Sequence, residues 1–263
     1  MMTRHLTAGV SALLLCGLLL TGCGSGIPAN TVHCADDLKG KTIGVQDGTT
    51  GHTLAGDIDQ AVVQPYAKAA DGVQALEQGK IDAVIVDSET ANTFVETHPD
   101  IMVLDEAFAE EEYAIAVGLH NTALLKEINS ALMQLELDGT LGSIKKNYEG
   151  DEKGQHPYEI KQDADRSKGT LVMATNAEFP PYEERVGEDI VGFDVDMMNA
   201  VCDYLGYELQ ISDMAFEAVI DAVENGQADV GVAGLSVTDE RKVHVAFSDI
   251  YATTNQVIIV RAK

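Results

Sequence analysis

The chain has 263 residues, 45% of them hydrophobic, enough to bury one large core or the cores of two lobes. Acidic residues outnumber basic ones by 43 to 17, and the resulting charge of −26 repels nucleic acid and anionic membrane surfaces while attracting cations. His5, His33, His52, His98, His120, His156 and His244 form no pair at zinc-ligand spacing, and no CxxC motif occurs, so neither a metal nor another cofactor is expected.

Arg4 and the apolar run Leu6–Leu20 read as the charged and hydrophobic regions of an export signal, short for a membrane span. The run ends in Leu20-Thr21-Gly22-Cys23, which resembles a bacterial lipobox: residues 1–22 would be removed and Cys23 lipidated. The alternative is a secretory signal whose cysteine is incidental. Residues 23–35, opening with Cys-Gly-Ser-Gly, read as a flexible tether, and Cys34 and Cys202 are expected to stay unpaired.

Gly40-Lys41-Thr42 imitates a phosphate-binding loop, but Ala35 stands where the first glycine is needed and the triplet precedes the strand Thr42–Val45. The loop that follows the strand, Asp47 to Gly51, offers hydroxyls and glycines to a polar group. A helix is expected to reach Gln78, then a strand Ala83–Val86 that ends at Asp87. A carboxylate there either receives an ammonium ion or caps the helix Ser88–Val95. Further strands are expected at Ile101–Leu104 and, after the acidic cluster Glu110 to Glu112, at Tyr113–Leu119. Leu124, Ile128, Leu132 and Leu135 fall at helical spacing up to Gly139, a second helix covers Leu141–Tyr148, and the polar residues 149–168 are a linker or a surface excursion.

The second block begins with a strand at Thr170–Thr175, and the paired prolines Pro180 and Pro181 fix a turn displaying Phe179 and Tyr182, over a ligand or in the core. Phe193–Leu205 is an amphipathic helix, Glu208–Ile211 a strand, and Phe216 opens a helix that ends near Gly226. Asp229 to Ala233 is a short buried strand. Thr238-Asp239-Glu240 after it has the composition of a cap and first helical turn, so backbone N–H groups, the Ser236 hydroxyl and the Arg241 fork would converge on a carboxylate. The plainer alternative is a turn with a solvent-facing arginine. The chain also repeats itself: Ala75-Leu-Glu-Gln-Gly79-Lys-Ile-Asp82 matches Ala222-Val-Glu-Asn-Gly226-Gln-Ala-Asp229, which implies two lobes of similar construction facing across a cleft.

Ala174-Thr-Asn-Ala-Glu-Phe-Pro-Pro-Tyr182, Val191-Gly-Phe-Asp-Val-Asp196, Ala233-Gly-Leu-Ser-Val-Thr-Asp-Glu-Arg241, Ala246-Phe-Ser-Asp249, Leu38-Lys-Gly-Lys-Thr-Ile-Gly-Val45 and Asp138-Gly-Thr140 resemble motifs of the bacterial extracellular solute-binding protein family 3, amino-acid receptors of ABC importers. In that family the block found here at 169–263 comes first, so the resemblance implies an α/β, two-lobed periplasmic-binding-protein-like fold of type II that is circularly permuted. It divides the chain into lobe II (36–112 with 256–263), hinge strands (113–119 and 254–260) and lobe I (120–254), with 150–168 joining the family's usual termini.

The resemblance also implies roles. Arg241 would grip a ligand α-carboxylate, helped by Ser236, the Gly234 backbone and Thr50. Asp87 would take the α-ammonium, and Phe179 and Phe216 would stack on the ligand. Asn176 stands where aspartate is frequent, with Glu178, Glu183, Tyr182 and Gln46 nearby, so the expected ligand is a polar amino acid, neutral or cationic. The implied protein is a non-enzymatic monomer, lipid-anchored outside the bacterial cytoplasmic membrane and partnered by an ABC permease. A dehydratase-like enzyme or a ligand-sensing module on the same fold are the alternatives.

Overall fold

The computed structural model describes residues 27–263, so the export signal and Cys23 lie outside the described residues. In the first half, strands β1 (Thr42–Gln46), β2 (Val62–Tyr66), β3 (Ala83–Asp87) and β4 (Ile101–Val103) alternate with helices α1 (Thr50–Gly56), α2 (Ala69–Glu77) and α3 (Ser88–Thr97). Next come β5 (Ala109–Gly118), α4 (Thr122–Leu137) and α5 (Thr140–Tyr148). The second half holds β6 (Thr170–Thr175), a small meander of β7 (Glu178–Phe179), β8 (Glu183–Val186) and β9 (Asp189–Val191), then α6 (Phe193–Leu205), β10 (Glu208–Asp213), α7 (Val219–Glu224), β11 (Val230–Gly231) and β12 (Val245–Arg261).

The main sheet runs β10-β6-β11-β5-β12-β3-β1-β2, with β4 also on β12. Its two ends are parallel trios, β10-β6-β11 and β3-β1-β2, as strand–helix–strand connections require. Between them β5 and β12 run antiparallel, paired from Ala109–Gln256 to Val245–Gly118, with register shifts at Phe247, Ile250 and Ala252. Such bulges bend a strand, and here the bend lets one strand serve two lobes. Each lobe has its own apolar interior: Ile115, Ile128, Leu171, Met173 and Met197 in one, Leu38, Ile43, Leu76, Ile81 and Ile85 in the other, all fully buried.

The internal repeat is one structural device used twice. Gly79 and Gly226 adopt left-handed φ values of 69° and 71° and end their helices, where a Cβ would be strained. Asp82 then accepts a hydrogen bond from the Thr42 N–H at 2.9 Å while its own N–H donates to Thr42 O at 2.8 Å. Asp229 does the same with Val172, at 2.8 and 2.9 Å. Each aspartate therefore straps the incoming strand to its parallel neighbour.

Several expectations are corrected. No α-helix follows Thr238: its Oγ1 accepts from Arg241 N at 3.2 Å, a single 3₁₀ turn spans Arg241–Val243, and the chain is then drawn into β12 because Val245 is buried against Gly118. The segment leading to Gln78 is broken by β2, whose Pro65 is tolerated because β2 pairs on one side only, at the sheet edge. The tether of residues 23–35 is bound at its far end. Val32 is fully buried, Asn30 N donates to Lys263 O at 2.8 Å, and Arg261 Nε donates to Pro28 O at 2.9 Å. Residues 149–168 take the form of a surface excursion, pinned where Tyr158 Oη and Lys161 N donate to Asp203 at 2.7 and 2.8 Å and Arg166 pairs with the same carboxylate.

Asp82→Ala and Asp229→Ala should each cost about 1–2 kcal/mol, the worth of a charged acceptor on a strand N–H. Because they sit in different lobes, the double variant should be additive within about 0.5 kcal/mol. Urea denaturation measures both, and a cost near zero for either would show that the strap is not shared.

Candidate functional site

The carboxyl ends of both parallel trios open onto one cleft, which is where this kind of sheet places its loops. Gln46 ends β1, Thr50 begins α1 and Asp87 ends β3 on one side; Phe179 on β7, Phe216 and Gly234–Ser236 face them from the other. These residues and Arg241 line an inner cavity of about 20 Å³. That volume holds about one water, so any larger ligand enters only when the lobes part. An outer chamber of about 890 Å³ shares Thr50, Glu111, Phe216, Ser236 and Arg241 with it.

Arg241 reaches the cleft from the 3₁₀ turn and not from a helix N-terminus. Its guanidinium donates to Ser236 O at 2.9 Å and, across the cleft, to Gly48 O at 3.2 Å, and it lies 5.4 Å from the centre of the Phe216 ring. Burial holds its pKa below the ordinary arginine value. Thr50 Oγ1 and Ser236 Oγ are 3.5 Å apart, one hydroxyl from each lobe. A cation with two hydroxyls beside it is suited to a carboxylate.

Asp87 is fully buried and performs one of the jobs open to it from sequence, the helix cap. Oδ1 caps α3, accepting from Glu89 N at 2.9 Å and Thr90 N at 3.3 Å. Oδ2 accepts from Tyr113 Oη at 2.9 Å and Thr254 Oγ1 at 2.5 Å, both on the crossing strands, and the carboxylate also lines the inner cavity. Burial pushes its pKa up to about 6 against the pull of these donors.

The remaining expected residues divide. Gln46 Nε2 donates to Asn176 Oδ1 at 2.9 Å, and Asn176 Nδ2 donates to Met214 O at 2.8 Å, so a buried amide pair bridges the lobes. Glu178 is turned outward, paired with Lys68 of the other lobe at 2.6 Å. Tyr182 is core: it is buried and stacks under Phe179 with ring centres 5.2 Å apart. The Gly234 N–H, expected to face a ligand, donates at 2.9 Å to Asp194 behind it. Asp194 and Glu183 are fully buried there, burial raising the first pKa to about 6 and the second well above the carboxylate range.

Two cavity residues escape a reading by motif. Gln256 Nε2 donates to Glu111 Oε2 at 2.8 Å, and both line the inner cavity from β12 and β5. Strand alternation carries the signal: in Glu110-Glu111-Glu112-Tyr113 only Glu111 shares the inward face of Tyr113.

The model for bacterial extracellular solute-binding proteins, family 3, matches residues 171–263. A solved structure, the arginine-bound form of domain 1 from TmArgBP, is 38% identical, with 36% of this chain and 82% of that one covered and a TM-score of 0.32. Residues 171–263 belong to the bacterial extracellular solute-binding proteins, family 3. Among its relatives, the arginine-binding extracellular protein ArtP of Bacillus subtilis (strain 168) is 40% identical over 96 residues, 36% of this chain and 38% of that protein. The L-cystine-binding protein TcyJ of Escherichia coli (strain K12) is 35% identical over 122 residues, 46% of each. The chain thus spans less than half the length of these curated relatives. The family-3 match contains Asn176, Phe179, Phe216, Gly234, Ser236 and Arg241; Gln46, Thr50 and Asp87 lie before it.

Asp87, Asp194 and Glu183 all have folded-state pKa values above their ordinary ones, so between about pH 4 and 6 the folded chain binds more protons than the unfolded chain. Their contribution is therefore most favourable on the acid side and declines as pH rises through about 6. The thermal midpoint should be higher at pH 5 than at pH 7.5, and Asp87→Asn, which removes one of the titrations, should flatten the difference. Equal midpoints at the two pH values in the unmodified chain would contradict this.

Proposed function

We propose that this chain is a non-enzymatic receptor of an ABC importer, which closes two lobes over a polar amino acid and delivers it to a permease. The observation that carries the reading is a pair of opposite charges on one small cavity: the Arg241 guanidinium, whose described partners are backbone carbonyls, and the Asp87 carboxylate. An α-amino acid is complementary to both charges at once, whereas a simple acid or amine answers only one. In this reading Arg241, Ser236 and Thr50 hold the α-carboxylate, Asp87 holds the α-ammonium, and Phe179 and Phe216 flank the ligand.

The amide pair of Gln46 and Asn176 gives the side-chain end hydrogen-bonding capacity without fixed charge, which suits a neutral polar or a cationic amino acid. Relatives named for arginine and for cystine support that range. Lipidation at Cys23 would tether the monomer outside the bacterial cytoplasmic membrane, and residues 150–168 would join the family's usual termini in a circularly permuted order.

A thermal-shift screen of the common amino acids tests the reading: a ligand at 100 times its Kd should add about 2.7 kcal/mol of stability. No shift with any of them would end it. Arg241→Ala should abolish the shift while leaving the circular dichroism spectrum unchanged, and near-normal affinity by calorimetry would mean the carboxylate is held elsewhere. Affinity should also fall as pH drops below about 6, approaching tenfold per unit, as Asp87 takes up the proton that an ammonium ligand would have to displace.

A further inference from the structure

Behind the proposed ligand site, on the far side of the Gly234 turn, the first lobe buries two carboxyl groups that no ligand contact explains. Asp194 lies in the first turn of α6 and Glu183 begins β8; neither side chain has any exposed surface. Asp194 Oδ2 accepts from Gly234 N at 2.9 Å and from Tyr251 Oη at 3.0 Å. Asp194 Oδ1 and both oxygens of Glu183 find no N–H or O–H donor among the described residues. Asp194 N donates to Tyr182 O at 2.9 Å, which sets the first turn of α6 beside Glu183. Buried acceptors do not go unanswered, and the bond left open to these oxygens is one between the two carboxyls. Two carboxylates cannot make that bond. One must carry a proton.

The surroundings say which. The groups acting on the pair are Asp87 and Asp213, which are acidic, and the phenols Tyr182 and Tyr251, so nothing favours a second negative charge. Asp194 has the N–H, the phenol and the positive end of α6 to hold a charge; Glu183 has none of these. Glu183 is therefore the acid, donating to Asp194 Oδ1, and Asp194 the carboxylate.

We propose that Asp194 and Glu183 are positioning residues, a carboxyl pair sharing one proton that fixes the Gly234–Ser236 turn from behind and thereby aims Ser236 and Arg241 at the ligand carboxylate. The turn is tightly constrained. Gly234 has φ +53°, and a Cβ on it would meet Phe179 Cε1 at 2.5 Å, so the N–H held by Asp194 also fixes how close Phe179 sits. Two residues on, Ser236 O receives the Arg241 guanidinium at 2.9 Å. The role in binding rests on the receptor reading above; the shared proton does not.

The test has a ligand-independent arm. At neutral pH the purified chain should show an infrared C=O band of a protonated carboxyl group that is lost in Glu183→Gln, and the Gly234 amide proton should move upfield in Asp194→Asn. A band that persists in Glu183→Gln, or a Gly234 resonance unmoved in Asp194→Asn, overturns the pair. In the binding arm, with L-arginine and then each amino acid of the screen as probe, Glu183→Ala should weaken affinity about tenfold, the worth of one lost charged hydrogen bond, and Glu183→Gln, which keeps a neutral donor, should recover most of it. Equal affinities in the two variants overturn the positioning role. If no amino acid binds the unmodified chain, the receptor reading and the positioning role fall while the first arm still decides the shared proton.

Discussion

The antiparallel pairing of β5 with β12 is the constraint on which the molecule depends. Among the described residues the two parallel trios join into one sheet through it, and its register shifts fall between Phe247 and Ala252. Tyr113 and Thr254, whose hydroxyls hold the second oxygen of Asp87, sit on these strands, as do Glu111 and Gln256 on the cavity wall. Among the described residues Asp87 is thus bound directly to the strand ladder that joins the lobes.

Charge is managed by isolation. Exposed carboxylates such as Glu110, Glu112 and Glu240 line the outer chamber, while Arg241 and Asp87 at the inner cavity lie deeper, where local dielectric is lower and screening weaker. Arg241 is steadied by carbonyl dipoles and an aromatic face, and Asp87 by four hydrogen bonds. Neither arrangement neutralises its charge. The pair behind Gly234 follows a different rule, with one proton placed where a second charge would have no donor.

The lobes are built by the same local code and diverge in what they add to it. A helix ended by a left-handed glycine, an aspartate three residues on and a buried strand recur in both. In the second lobe the strand ends on Asp87, which caps a helix. In the first it ends at Gly231, and after the turn at Gly234 the chain passes back into the crossing strand without a helix. That difference puts a carboxylate on one wall of the cleft and a guanidinium on the other.

What the sequence determined by itself is whatever is written in local pattern. The helical spacing of Leu124 to Leu135, the short apolar strands, the repeated Gly-x-x-Asp strap and the motif around Arg241 were all legible, because each depends on residues within a turn or two of one another. The helix cap at Asp87 was also legible; the two hydroxyls that Tyr113 and Thr254 bring to its second oxygen were not. Only the tertiary structure decided that Val245 would be claimed by Gly118 and suppress a helix after Thr238, that Val32 would be drawn into a core from the expected tether, and that Glu178 would turn outward to Lys68. It alone separated Glu111 from its two neighbours and enclosed Glu183 with Asp194. In each case the deciding partner lies far away in the chain, and burial, which sets the strength of every one of these charges, exists only once the lobes have formed.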